Sequence, residues 1–197
     1  MRSLDAYWAG ELDEHLAVAA ETRRALREDF ARLVEICART FADGHKLMIF
    51  GNGGSAADAQ HIATEFSVRY RSERRALPAM ALTTEGATLT AVGNDLGFDR
   101  VFARQIEAFG KAGDVALGIS TSGRSRNVLQ GLSQARSQNL IPVALGGGDG
   151  GELRGLADPC LIVPSRTVAR IQEMHIALGQ MLCGAVEIAL GLAGDRP

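Results

Sequence analysis

Five short apolar runs, each followed by a stretch of helical character, constrain this chain more than any other feature. The runs are 46–50, 79–82, 115–120, 141–145 and 160–163, and the helical stretches fall near 55–69, 86–93, 99–110, 125–138 and 167–192. Alternation of this kind predicts an α/β fold: a five-stranded parallel sheet with helices on both faces. In such sheets ligands gather beyond the carboxyl ends of the strands. Here those ends carry residues 51–55, 83–84, 120–125, 146–151 and 164–165. The last glycine-rich segment but one, 146–151, reads as a turn.

Before the first strand, residues 3–43 are helical in pattern, with no proline and only Gly10 as a glycine. Leu26, Phe30, Leu33, Val34 and Cys37 recur at helical spacing with charged residues between them. So much helix exceeds what one sheet face needs. It predicts either an antiparallel helix pair or a surface for subunit packing, with Trp8 and Leu12 buried in the monomer or at the interface. The expected organisation is one domain over 1–197, with 1–44 as its N-terminal helical segment.

A net charge of −2 gives no reason to expect nucleic acid or an anionic membrane as partner. The local exception is Arg69, Arg71, Arg74 and Arg75, which reads as a solvated helix end, with Arg69 as an alternative phosphate ligand. Cys37, Cys160 and Cys183 are odd in number and widely spaced, as buried thiols in a reducing compartment would be. Asp5, Glu11, Asp13 and Glu14 interrupt any leader-like run, and no stretch reaches the roughly 20 apolar residues of a membrane span. A cytoplasmic location is expected.

Two motifs carry chemistry. Leu47 to Phe50 end in Gly51-Asn52-Gly53-Gly54-Ser55, and a helix-forming run follows. A strand, a glycine loop and a helix N-terminus offer free backbone N–H groups at the positive end of a dipole, which suits phosphate. His61 and Glu65 stand four residues apart on that helix and share a face just behind the anion site. The second motif, Ser120-Thr121-Ser122-Gly123-Arg124-Ser125, also follows an apolar strand and precedes a helix. Its hydroxyls read either as a phosphate cradle or as helix caps. Beside a second glycine loop, phosphate is the favoured reading. No Gly-x4-Gly-Lys-Ser/Thr segment is present, and Ala56 stands where a dinucleotide loop needs its third glycine. Gln172, His175 and Gln180 punctuate an otherwise apolar last helix, and Asn94-Asp95 reads as a loop between helices.

Residues 51–61, Glu65, 93–95, 113–114, 120–123, 149–151 and 170–173 together resemble the sugar isomerase (SIS) domain family, and within it the heptose phosphate isomerases. The resemblance runs over nearly the whole chain. It implies a flavodoxin-like sheet, N-terminal helices that pack in the oligomer, and a cytoplasmic homotetramer with active sites between subunits. The implied reaction converts sedoheptulose 7-phosphate to D-glycero-D-manno-heptose 7-phosphate through an enediol(ate). Ser55, Ser120, Thr121, Ser122 and Ser125, with the backbone of Gly53 and Gly54 and with Arg69, would hold the phosphate. Asn52, Asn94, Asp95 and Gln172 would meet the sugar or line its pocket. His61, Glu65, Gln172 and the residue at 180 match a zinc site, and Glu65 also matches the general base.

Position 180 departs from the family. The isomerases carry a histidine there, as zinc ligand and acid/base; this chain has Gln180, which offers a carbonyl oxygen but shuttles no proton. His175 and Gln180 lie roughly 60° and 80° to opposite sides of Gln172 around a helix, so His175 does not replace the missing imidazole. A variant active site, a knocked-out acid/base and loss of catalysis all stay open. The alternative to the enzyme is a non-catalytic SIS-domain tetramer that binds the replication initiator or senses a sugar phosphate.

Overall fold

The computed structural model describes residues 3–193. The elements are α1 (Leu4–Ala25), α2 (Arg27–Ala42), β1 (Leu47–Gly51), α3 (Gly54–Ser67), β2 (Ala79–Ala81), α4 (Gly86–Asp95), α5 (Val101–Phe109), β3 (Val115–Ser120), α6 (Arg126–Ser137), β4 (Ile141–Gly147), β5 (Cys160–Val163) and α7 (Val168–Ala189). The five strands form one parallel sheet in the order β2-β1-β3-β4-β5. This is the flavodoxin-like arrangement.

Alternate residues of the strands feed opposite layers. Leu47, Ile49, Val115, Leu117, Ile119, Val143 and Leu145 meet Leu33 and Phe41 of α2, Ile62 and Phe66 of α3, and Leu178 and Leu182 of α7. Met48, Phe50, Ala116 and Ala144 meet Phe102 and Ile106 of α5 and Val128 and Leu132 of α6 on the other side. Strands buried on both faces have no polar positions, which is why they read as continuous apolar runs.

The N-terminal helices differ from one expectation. Leu26 alone joins α1 to α2, too short a link for the loop of two to five residues that an antiparallel pair needs. α1 lies instead along the first turns of α7. Arg170, largely buried, meets Glu173 at 2.5 Å and Glu11 at 3.2 Å, His15 meets Glu173 at 2.7 Å, and Thr167 donates to Glu14 at 2.6 Å. The inner face of α1 is polar along Glu11, Glu14 and His15 and joins the core only near its end, through Val18 and Ala19, so the helix turns Leu4, Tyr7, Trp8, Leu12 and Leu16 outward, and Trp8 is 68% exposed. Trp8 and Leu12 are therefore not part of the monomer core. Among the described residues no helix is long and apolar enough to cross a membrane.

Candidate active site

β1 and β3 are neighbours, but their chains leave in opposite directions, toward β2 and toward β4. The crevice between them is the switch point at which α/β sheets bind ligands. Both motif loops lie there, each feeding the N-terminus of a helix, α3 or α6.

The glycine loop is tight for steric reasons. A Cβ on Gly51 would lie 2.7 Å from Ser55 Cβ and 2.8 Å from the Ile119 carbonyl, and Gly53 has φ +56°. Asn52 and the buried Asn127 exchange reciprocal amide bonds of 2.8 Å, which tie this loop to the first turn of α6. Ser55 is buried at the head of α3.

The hydroxyls of Ser120 and Ser125 are 3.0 Å apart. Ser125 makes no side-chain cap to α6, so capping does not account for it. The segment 146–151 is more than a turn. Gly123, at φ +66°, has no room for a Cβ against the Gly150 carbonyl; Arg124 grips Asp149 with bonds of 3.0 and 2.6 Å; and Glu152 N–H donates to the Gly123 carbonyl at 3.0 Å. A cavity of about 310 Å³ opens beside this pair of loops, lined by Thr121, Ser122, Gly148, Asp149, Arg166 and Ile171 among others.

Behind the glycine loop, α3 and α7 approach closely. A Cβ on Gly179 would clash with Ile62, and one on Gly54 would lie 2.5 Å from the Gln172 amide. This approach brings the polar residues of the two helices together. His61 Nε2 lies 3.2 Å from Glu65 Oε1, and Gln180 Nε2 donates to His61 Nε2 at 3.2 Å. The His61 and Glu65 side chains are 45% and 23% exposed. His175 points elsewhere: it is fully buried against the sheet, its Nε2 donates to the Gly146 carbonyl at 2.9 Å, and burial pushes its pKa down to about 4. It cannot stand in for an imidazole at position 180.

Sequence reasoning gave Asp58 no role. One turn before His61, its Oδ2 is buried with no partner, and burial pushes the carboxyl up to about 6 against the opposing pull of His61. Arg166 and Asn127 were also missed, since neither belongs to a motif.

Other expected residues lie apart. Asn94 and Asp95 are not in a loop but at the exposed end of α4, where Asn94 donates to Asp95 at 2.7 Å. Arg69 follows α3, a helix of 14 residues, so it sits about 20 Å from the glycine loop of its own chain. Arg74 overturns the reading of a solvated cluster. Its guanidinium is 2% exposed, pairs with the equally buried Glu187 at 2.9 Å, and donates to the carbonyls of Glu65 and Phe66 at 2.8 Å.

Do these residues fit a metal? Two ligand atoms on a tetrahedral zinc with bonds near 2.0 Å sit about 3.3 Å apart. His61 Nε2 and Glu65 Oε1, at 3.2 Å, have that spacing. Among the described residues no cluster of three or more His, Cys, Asp and Glu is formed; the further side chain bonded at this pair is the Gln180 amide, while the Gln172 amide lies against Gly54. The set fits a divalent cation as one nitrogen with oxygens.

The sequence profile of the SIS domain family matches residues 12–147. The chain is 55% identical over 177 residues to a phosphoheptose isomerase of Paramagnetospirillum magneticum, covering 90% of this chain and 92% of that protein. Its fold superposes on the phosphoheptose isomerase of Neisseria gonorrhoeae with a TM-score of 0.90 at 39% identity, covering 94% of this chain and all of the other. The corresponding enzyme of Francisella tularensis gives 0.91 at 36% identity, over 95% of this chain and all of that one. These relatives lend no support to the alternative of a non-catalytic initiator-binding or sensing tetramer.

Proposed function

This chain belongs to the phosphoheptose isomerase family of SIS-domain proteins, and we propose that it interconverts sedoheptulose 7-phosphate and D-glycero-D-manno-heptose 7-phosphate with Glu65 as the base. One observation carries the assignment of roles: a carboxylate and an imidazole, 3.2 Å apart, stand on the helix whose N-terminus closes the glycine loop.

The phosphate sits between the N-termini of α3 and α6. Ser55, Ser120, Thr121, Ser122 and Ser125 supply hydroxyl donors, and Gly53 and Gly54 let the backbone approach. Neutral donors hold a phosphate without trapping it. The sugar then runs along α3 toward Glu65, past the amides of Asn52, Gln172 and Gln180. Glu65 removes a proton from C1 of the open-chain ketose, an enediol(ate) forms, and a proton returns to C2. Gln180 cannot exchange a proton with the substrate, so Glu65 serves both carbons from one face and the amides steady the hydroxyls. His61, Glu65, Gln172 and Gln180 would hold zinc, which supplies carbonyl polarisation and stabilises oxygen charge.

The working particle is a cytoplasmic homotetramer of one SIS domain per chain (1–197, with 1–44 its helical segment). Two observations support the assembly. The outward apolar stripe of α1 needs covering. Arg69, Asn94 and Asp95, exposed on their own chain, would complete a site of another subunit.

The test is turnover of sedoheptulose 7-phosphate by the purified chain, with and without added zinc, beside Glu65→Gln. Turnover that disappears in the variant is the expected result. Absence of turnover from the native chain under every metal condition overturns the proposal.

A further inference from the structure

Among the described residues, the one side-chain hydrogen bond of Gln180 is directed at His61 Nε2, the atom that would ligate a metal. The Gln180 Nε2–H donates to His61 Nε2, and the lone pair it engages is the one a cation would take. The same ring nitrogen faces Glu65 Oε1 at 3.2 Å. The amide and a cation therefore compete for His61. For a cation to enter, this bond must break and the amide must turn over, so that its oxygen rather than its nitrogen faces the centre.

The resulting donor set is one imidazole, one carboxylate and amide oxygens. Amide and carboxylate oxygens suit hard ions such as manganese and magnesium, whereas nitrogen ligands favour zinc. A centre with a single nitrogen has lost much of the basis for choosing zinc. Two further features make it exchangeable. His61 is 45% exposed, so water has direct access. Among the described residues no hydrogen bond is made by His61 Nδ1, and a ligand ring without such a partner is held less firmly.

We propose that Gln180 makes the α3–α7 centre a labile, oxygen-rich cation site that discriminates weakly between zinc and harder divalent ions such as manganese. This rests on reading His61, Glu65, Gln172 and Gln180 as metal ligands; it does not require that the chain be an active isomerase.

The experiment is equilibrium dialysis of the chelator-treated full-length chain against zinc alone and manganese alone, without substrate. Native protein is measured beside Gln180→His and Gln180→Glu, with circular dichroism confirming that each is folded. The readout is the ratio of the manganese Kd to the zinc Kd. A second nitrogen in Gln180→His should raise that ratio by on the order of 100-fold, mostly through tighter zinc. Gln180→Glu, which adds a hard oxygen, should tighten both ions with a change in ratio of less than about 10-fold. Release of zinc to a chromogenic chelator should be correspondingly faster from the native chain than from the histidine variant. An unchanged ratio with clear binding in all three proteins overturns this inference while the metal site stands. No binding in any of them overturns both. Turnover is not part of the readout, so failure of the isomerase reading leaves these outcomes intact.

Discussion

Helices α3 and α7 hold two polar clusters, and they could hardly be built more differently. Beside the C-terminal ends of both helices, Arg74, from the segment that follows α3, and Glu187 of α7 have side chains 2% exposed and bonded at 2.9 Å, with the remaining guanidinium donors on the α3 carbonyls of Glu65 and Phe66. Glu187 also accepts from the Tyr70 N–H at 3.3 Å. Nearer the glycine loop, His61, Glu65 and Gln180 share too few bonds. One ring nitrogen faces both an amide donor and a carboxylate at 3.2 Å, and all three side chains reach solvent. A buried pair with every donor satisfied holds a backbone in place. A half-open cluster whose members compete is unfinished, and a ligand can finish it. The first cluster anchors the carbonyl of Glu65, whose carboxylate belongs to the second.

The largest expected effect separates the two clusters by function. Glu65→Gln should lower turnover about 1,000-fold or more, while unfolding free energy by denaturant changes by less than about 1 kcal/mol. A matching loss of stability would show that Glu65 belongs to the anchoring cluster after all. Glu187→Ala should do the reverse. It strands Arg74 in the core and should cost about 3–5 kcal/mol in a denaturation curve, with folded protein still binding inorganic phosphate.

A smaller perturbation moves the clusters relative to each other. Gly179→Ala puts a methyl against Ile62 where α3 and α7 are closest. It should cost about 1–3 kcal/mol by overpacking and draw Gln180 away from His61, seen as a shift of the His61 imidazole resonances. No shift would mean that the amide bond does not depend on this close approach.

The smallest effect concerns pH. Asp58, with its carboxyl raised to about 6, binds protons more readily folded than unfolded; its contribution is complete below about pH 4 and fades as pH rises through its folded pKa. His175, held down to about 4, works oppositely: its contribution is present above about pH 6.5 and is lost as pH falls through its folded pKa. The two slopes oppose each other between these values. In Asp58→Asn the opposing Asp58 slope is gone and the His175 slope stays, so the denaturation midpoint should climb more steeply with rising pH than in the native chain. Parallel profiles would place the Asp58 carboxyl in ordinary solvent.

Much of the fold was legible because its signals are local. Residues 115–120 and 160–163 were read as strands with the bounds they have. The strand–loop–helix at 47–65 was legible because glycines, a helix N-terminus and the spacing of His61 and Glu65 are consecutive in the chain. Helical geometry also places His175 and Gln180 in different sectors; their partners, the Gly146 carbonyl and His61, come from the structure. Arg74 was misread because the group that neutralises it, Glu187, lies 113 residues away. The 146–151 segment was underrated for a similar reason: its partner is Gly123, whose missing side chain leaves space for the Gly150 carbonyl.

The parallel sheet, the two strand-to-helix loops at 51–55 and 120–125 and the residues of the α3 face follow from the sequence alone. Strand burial, glycine turns and helical periodicity follow from a residue and its near neighbours. Which of these residues meet is a matter of packing. The approach of α3 to α7 at Gly179, the turn of the Gln180 amide onto His61 and the burial of Arg74 against Glu187 each depend on packing between segments far apart in the chain. Such contacts are set by the shape of the whole core, and no local pattern encodes them.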